Sequence, residues 1–120
     1  MHRLLQERRK WMSDFRKAYV YVRNIFAGIL RESDEGYAFK YDDAYLKNEK
    51  ASVVSLTLPL QAEEYVSKTL FPFFDGLIPE GWLLNVVADN WKINRSDRFG
   101  ILLVACRDGI GDVSIMEERQ

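Results

Sequence analysis

The stretch that decides the fold lies in the second half of the chain and reads Leu70-Phe-Pro-Phe-Phe-Asp-Gly-Leu-Ile-Pro-Glu-Gly-Trp-Leu-Leu84. Its four aromatic residues, two prolines and two glycines restrict the backbone and concentrate apolar area. Beyond Tyr65 the apolar spacing changes from a period of two to about 3.6, the repeat of a helix. We therefore predict helices over residues 70–77, 79–91 and 96–106, the last capped by Ser96 or Asp97.

Before this stretch the pattern is typical of β-strands, because aromatic and β-branched residues alternate with others. The predicted strands are residues 18–24, 25–31, 37–41, 53–58 and 113–115, with a bulge or close approach at Gly28. A capped helical turn is expected at 44–48, after Asp42 and Asp43, and another turn at 108–112. The first three strands form an antiparallel meander. The sequence thus predicts an α+β fold, with about three helices packed on one face of a small antiparallel sheet.

Length and composition indicate one globular domain. The 120 residues are 48% hydrophobic and 29% charged, with a net charge of −1, which excludes a disordered chain and gives no general attraction to nucleic acid. Residues 1–17 carry six basic and two acidic side chains and are expected to form a basic tail or a short amphipathic helix. The domain itself is predicted to span residues 18–116, followed by a short tail at 117–120.

Residues suited to catalysis are scarce. The single histidine, His2, lies in the expected tail, and the single cysteine, Cys106, lies in an apolar run typical of a buried thiol. Gly109 and Gly111 are interpreted as a turn, because a phosphate loop would need a third glycine and a following helix. We therefore predict no catalytic, cofactor-binding or metal-binding residues and no enzyme activity. Without an apolar run long enough to span a bilayer, and without a signal peptide, the chain is expected in the cytoplasm.

Trp82 stands out on a helical wheel of the segment 79–91. The predicted core stripe of this helix consists of Leu84, Val87, Ala88 and Trp91. Trp82 falls on the opposite side, between Asn85 and Asp89, where an exposed tryptophan is typical of an interface anchor. Packing of Trp82 under a loop is the alternative. Pro79 suits a first helical turn, although Ile78 before it offers no capping oxygen.

These residues resemble a known family. The run Phe73-Phe-Asp-Gly-Leu-Ile-Pro-Glu-Gly-Trp82 resembles the central signature of the N-terminal subdomain of HipA-type serine/threonine kinase toxins. The resemblance extends to Ser55-Leu-Thr-Leu-Pro-Leu60, Asp97-Arg-Phe-Gly100 and residues 107–115, and covers residues 18–116. One departure is Ile25, which stands where the family usually has glycine in a hairpin turn. The sequence stops where a HipA protein would enter its kinase core, and in this it is similar to HipS of the tripartite HipBST toxin–antitoxin systems.

The resemblance implies a non-catalytic antitoxin that binds and inhibits a HipA-like (HipT) kinase toxin. A HipB-like DNA-binding protein is then expected as a partner only through the kinase complex, with no direct contact to nucleic acid or membrane. The alternative is a detached N-terminal lobe that complements and stabilises or activates the kinase core. The residues expected to contact the kinase are Trp82, Phe73, Phe74, Asp75, Glu80, Gly81 and Asn85.

Overall fold

Antiparallel strands make up one layer of the computed structural model, which describes residues 15–105 and 112–119. The strands are β1 (Lys17–Val22), β2 (Ile25–Ser33), β3 (Gly36–Tyr41), β4 (Tyr65–Ser67) and β5 (Val113–Met116). Their order across the sheet is β4-β3-β2-β1-β5. The predicted meander is confirmed as β1–β3, and the short strand expected at 113–115 is confirmed as β5, which pairs with β1.

The turn between β1 and β2 explains how Ile25 is accommodated. Arg23 and Asn24 take φ angles of 49° and 66°, the left-handed pair that a two-residue type I′ turn requires. Ile25 then stands inside the ladder, opposite Val22. The register shifts farther along, and a Cβ at Gly28 would collide with the carbonyl oxygen of Lys40. The close approach expected at Gly28 is therefore present.

The helices of the described residues form the second layer. They are α1 (Asp43–Leu46), α2 (Pro72–Asp75), α3 (Gly81–Trp91) and α4 (Arg98–Ala105), so the predicted helices exist and are shorter than expected. Asp42 caps α1, because its carboxylate accepts the N–H of Tyr45 at 3.1 Å. Asp97, rather than Ser96, caps α4, since its Oδ1 accepts the N–H of Gly100 at 3.1 Å.

The core lies between one face of the sheet and the helices α2 and α4. Its largest fully buried side chains are Tyr41, Phe39, Phe74, Phe99, Leu30, Ile101, Leu102, Ile115 and Val20. Aromatic rings join the two layers: the centroids of Phe39 and Phe74 are 5.6 Å apart, and Tyr37 stacks on Phe99 at 6.0 Å. The α+β class with helices on one face of the sheet is confirmed.

The strand predicted at 53–58 is wrong. A tight turn occupies these positions, closed by an isolated bridge between Ser55 and Leu58, and Leu56 at its tip is 92% exposed. The buried hydroxyl of Tyr41 holds the turn, since it donates to the carbonyl oxygen of Leu58 and accepts the N–H of Val54. The fourth strand of the sheet is instead β4, which the sequence did not indicate.

Two residues that precede the predicted boundary at residue 18 make contacts with the fold. Lys17 pairs with Arg31 in the sheet, and the guanidinium of Arg16 contacts Glu32 at 2.7 Å and Asp97 at 2.8 Å. The predictions for residues 1–14, Cys106 and most of the turn 108–112 lie outside the described residues. Across residues 15–105 and 112–119, every helix is too short or too polar to cross a membrane.

Candidate partner-binding surface

In its first half, helix α3 presents three apolar side chains to solvent. Trp82 is 75% exposed, Leu83 44% and Val86 42%, and their spacing places them on one side of the helix over little more than one turn. We call these three residues the α3 face. Monomeric proteins rarely leave large apolar side chains in contiguous patches, and such patches mark interaction sites.

The α3 face is exposed because the helix meets the core through its opposite side. Ala88 is the single buried residue of α3, and Leu84 and Val87 are half-buried against the core cluster. These are three of the four residues in the stripe that the helical wheel predicts, and Trp82 points away from them, as expected. The alternative that Trp82 packs under a loop is wrong.

Trp91 corrects the prediction of the same wheel, because it is 54% exposed rather than core. Helix α3 ends here with Lys92 in a left-handed conformation, at φ 53°. The N–H of Ile93 then donates to the carbonyl oxygen of Ala88 at 2.9 Å, as in a Schellman motif. After this reversal Ile93, rather than Trp91, packs against the core.

The start of α3 differs from the prediction that Pro79 stands in its first turn. The helix begins at Gly81, and the capping residue is Glu80, with extended backbone and no side-chain hydrogen bond to the helix. Gly81 has a φ of +62°, which favours glycine, and no atom lies within 4 Å of the place of a Cβ. The backbone beside Trp82 is therefore open to solvent.

The guanidinium of Arg98 joins the end of helix α2 to the residue that precedes helix α3. Nε of Arg98 donates to Oδ1 of Asp75 at 2.9 Å, and Nη2 donates to Oε1 of Glu80 at 3.0 Å. Asp75 is the last residue of α2, and Arg98 is the first residue of α4. The hydrogen bond with Asp75, followed by that with Glu80, raises the pKa of Arg98 above its ordinary value. We call this cluster the Arg98 bridge.

The structure gathers most of the expected contact residues at this end of the molecule. Trp82, Glu80, Gly81 and Asn85 are exposed, and Phe73 and Asp75 are half-buried. Phe74 is the correction: it is fully buried among Phe39, Phe71 and Phe73, so it supports the core and offers no surface to a partner. A contact by the other six stays a prediction.

Sequence reasoning missed three residues of this region. Leu83 and Val86 lie on the wheel beside Trp82, so the signal for an apolar outer face was present. Arg98 lies within the run Asp97-Arg-Phe-Gly100 that carries the resemblance, but its contacts could not be predicted, because its partners lie 23 and 18 residues away. Asn85 has an internal partner as well, since its Oδ1 accepts from Nη1 of Arg95 at 2.7 Å.

The charged groups just before the start of α3 are paired. Asp75 and Glu80 are both engaged with Arg98. Among the described residues there is no group of three or more His, Cys, Asp or Glu side chains that could hold a metal ion. What the surface offers a partner is a rigid indole and two aliphatic side chains at the start of a helix.

Known proteins share this architecture. The N-terminal domain of the HipA toxin has a solved structure that is 31% identical to this chain, with a TM-score of 0.64, covering 88% of this chain and 94% of that one. An uncharacterized protein of Haemophilus influenzae is 37% identical over 105 residues, which are 88% of this chain and 95% of that protein.

Two longer relatives are putative kinases of Sinorhizobium fredii. One is 31% identical over 90 residues, 75% of this chain and 21% of the kinase; the other is 31% identical over 83 residues, 64% of this chain and 20% of the kinase. The chain therefore matches about a fifth of the length of each of these two proteins. The family model of the HipA N-terminal domain matches residues 18–116, the span that the resemblance predicted. This chain belongs to the HipA N-terminal domain family.

Proposed function

We propose that this protein is a non-catalytic antitoxin that binds a HipA-like serine/threonine kinase toxin of the HipT type and inhibits it through the α3 face. The observation that carries the proposal is the exposure of Trp82, Leu83 and Val86 on one side of α3. Folding leaves this apolar area in water, where a partner surface can cover it.

We infer that the partner is a kinase core from the longer proteins in which this family domain occurs. In the two putative kinases it accounts for about a fifth of a longer chain, so the same kind of domain is covalently joined to the rest of a kinase there. The domain in this chain is proposed to dock on such a core. A HipB-like protein would join through the kinase, and the complex would act in the cytoplasm.

Apolar contact rather than net charge should dominate the affinity. With a formal net charge of −1, the chain has little long-range attraction for a charged partner, and binding should depend moderately on salt. Trp82 has the properties of a hot spot, whose truncation costs at least about 2 kcal/mol of binding free energy. A complex that dissociates on a modest rise in salt would point to the basic residues 1–17 instead.

The decisive experiment co-expresses the kinase with variants of this protein and follows growth. Trp82→Ala should fold normally, because the side chain is outside the core, and should lose neutralisation of the kinase. Trp91→Ala is the matched control: it removes the same side chain from the other end of α3, outside the α3 face. Normal melting of Trp82→Ala together with full rescue of growth would overturn the proposed role of the α3 face.

A detached lobe that the kinase needs for stability or activity is the second candidate. The occurrence of this family domain within putative kinase chains favours it. The same co-expression separates the two functions, since an inhibitor restores growth and a complementing lobe increases toxicity.

The absence of catalysis has its own test. Phosphoryl transfer needs groups that hold phosphates and magnesium, and the sequence has no glycine-rich phosphate loop. Calorimetry on the isolated protein should therefore detect no ATP binding. Saturable, stoichiometric binding would contradict the proposal of a non-enzyme.

A further inference from the structure

We propose that Arg98 is a positioning residue for the α3 face: the Arg98 bridge fixes the direction in which α3 leaves the core, and so holds Trp82 and Leu83 ready for a partner. This inference rests on the proposed function, because it concerns the same surface. Arg98 itself begins α4 and bonds to the end of α2, so it is not one of the residues of the α3 face.

The first step is that the buried helix α4 holds the backbone of Arg98 in place. It begins α4, in which residues Phe99, Gly100, Ile101, Leu102 and Leu103 are all buried. The helix is capped by Asp97, which is itself held by the guanidinium of Arg16 at 2.8 Å. The backbone of Arg98 is thus fixed by the core, and its side chain is 28% exposed.

The second step is that the start of α3 has few other ties. Backbone hydrogen bonds hold the connection between α2 and α3 as far as Ile78, whose N–H donates to the carbonyl oxygen of Asp75 at 3.1 Å. Glu80, the capping residue, makes no side-chain hydrogen bond to its own helix. Its carboxylate instead accepts from Arg98 at 3.0 Å. Leu84 packs against the core at the end of this turn, and the bridge is the described side-chain contact that holds the residue before it.

The third step is geometric. One planar guanidinium holds Asp75, at the end of α2, and Glu80, before the start of α3, at the same time. The donors of arginine form a rigid fork, which fixes the distance between the two carboxylates. The bridge therefore holds the two ends of the connection of residues 76–80 together. Lysine at this position could hold one carboxylate well, but not both.

The consequence concerns affinity more than folding. If the bridge is lost, the first turn of α3 samples several orientations, and the observed dissociation constant rises by the inverse of the fraction that remains competent. A competent fraction of about one tenth would weaken binding about tenfold. The core residues do not depend on the bridge, so the melting temperature should change little.

The experiment uses Arg98→Ala, Arg98→Lys and the matched control Arg31→Ala. Arg31 also pairs with a glutamate, Glu64, at 3.0 Å, but it does so on the sheet and away from α3. The first measurement is the backbone ¹⁵N order parameter of residues 81–86 in the isolated protein. The second is the affinity for a HipA-like kinase core by calorimetry, with and without Trp82→Ala.

A positioning role predicts a specific pattern. Order parameters in the first turn of α3 should fall in Arg98→Ala, recover in part in Arg98→Lys and stay unchanged in Arg31→Ala. Arg98→Ala should weaken binding about tenfold in the natural background and much less when Trp82 is already alanine, since the two residues act through one element.

Two results would overturn the inference. Unchanged order parameters in Arg98→Ala would show that the bridge does not orient α3. Equal losses of affinity with and without Trp82 would show that Arg98 contacts the kinase directly. Failure of the unaltered protein to bind any kinase core overturns the proposed function instead, and the order parameters still decide whether Arg98 holds the helix.

Discussion

Phe74 and Trp82 belong to neighbouring helices, yet their surroundings are opposite. Phe74 on α2 is 0% exposed and contacts rings from β3 and its own helix, whereas Trp82 on α3 is 75% exposed. The sequence around both is equally apolar. Apolar spacing therefore shows which side chains favour burial, but not whether they are buried by the same chain or by a partner.

The difference has an energetic meaning. Burial of an aromatic side chain in the core contributes to the stability of the isolated domain. The exposed residues of the α3 face contribute little to folding, and their area becomes favourable when a partner removes it from water. Substitutions in the two regions should therefore separate into losses of stability and losses of binding.

The largest expected effect is that of Phe74→Ala. Truncation of this buried ring leaves a cavity beneath the sheet, and the free energy of unfolding should fall by about 3–5 kcal/mol. Urea denaturation of the isolated protein measures this loss, with Trp82→Ala as the control that should stay within about 0.5 kcal/mol of the natural chain. Similar losses in both variants would break the comparison, because Trp82 would then belong to the core.

Tyr41→Phe should have the next largest effect. The ring stays buried, but the hydroxyl that serves Val54 and Leu58 is removed, and two buried backbone groups lose their partner. We expect the free energy of unfolding to fall by about 1–3 kcal/mol. Tyr65→Phe is a suitable control in the same denaturation series, because its hydroxyl bonds to Pro59 at an exposed site.

The same tyrosine shows what the sequence could not predict. The run Val-Val-Ser-Leu-Thr-Leu at 53–58 alternates like a strand, but the hydroxyl of Tyr41, which is distant in sequence, holds it as a turn. Strand β4 has three residues, too few for a period of two to be recognised, and its pairing comes from β3. Local pattern was sufficient where turns and alternation agree, as in β1–β3.

A smaller effect is expected from the charge of Asp97. The hydrogen bond from Arg16 lowers the pKa of this carboxyl below its ordinary value of 3.8. A carboxyl with a lowered pKa in the folded state stabilises the protein above the ordinary value, and this contribution is lost as the pH falls through the folded pKa.

Asp97→Asn keeps an oxygen for the cap of α4 but removes the charge. The variant should lose about 1 kcal/mol of stability at neutral pH, and its melting temperature should decline less steeply than that of the natural chain in acid, below pH 4 or so. Asp43→Asn is the control, because its partner Lys40 is at 3.4 Å on an exposed site. Parallel acid profiles for the natural chain and Asp97→Asn would show that the pair with Arg16 adds nothing.

The candidate site likewise combines a feature set by local sequence with a feature set by contacts between distant residues. The exposure of Trp82 follows from one helical repeat, so the wheel found it. The Arg98 bridge joins residues from α2, α4 and the start of α3, and no pattern within one helix indicates it. A helical wheel contains no information on where the helix ends. It therefore placed Trp91 in the core, although α3 ends at this residue.

Trp91→Ala, the last substitution, has a small expected effect and sharpens the comparison most. The sequence alone predicted a core tryptophan, whose truncation would cost about 3–5 kcal/mol. In the structure Trp91 is 54% exposed, and Ile93 packs against the core after the left-handed turn at Lys92. We therefore expect a loss of no more than about 1 kcal/mol in urea denaturation, with Ile93→Ala costing more. If Trp91→Ala lowers the free energy of unfolding more than Ile93→Ala does, the core stripe of α3 continues to its last turn. The boundary between the buried and the exposed side of this helix then lies elsewhere.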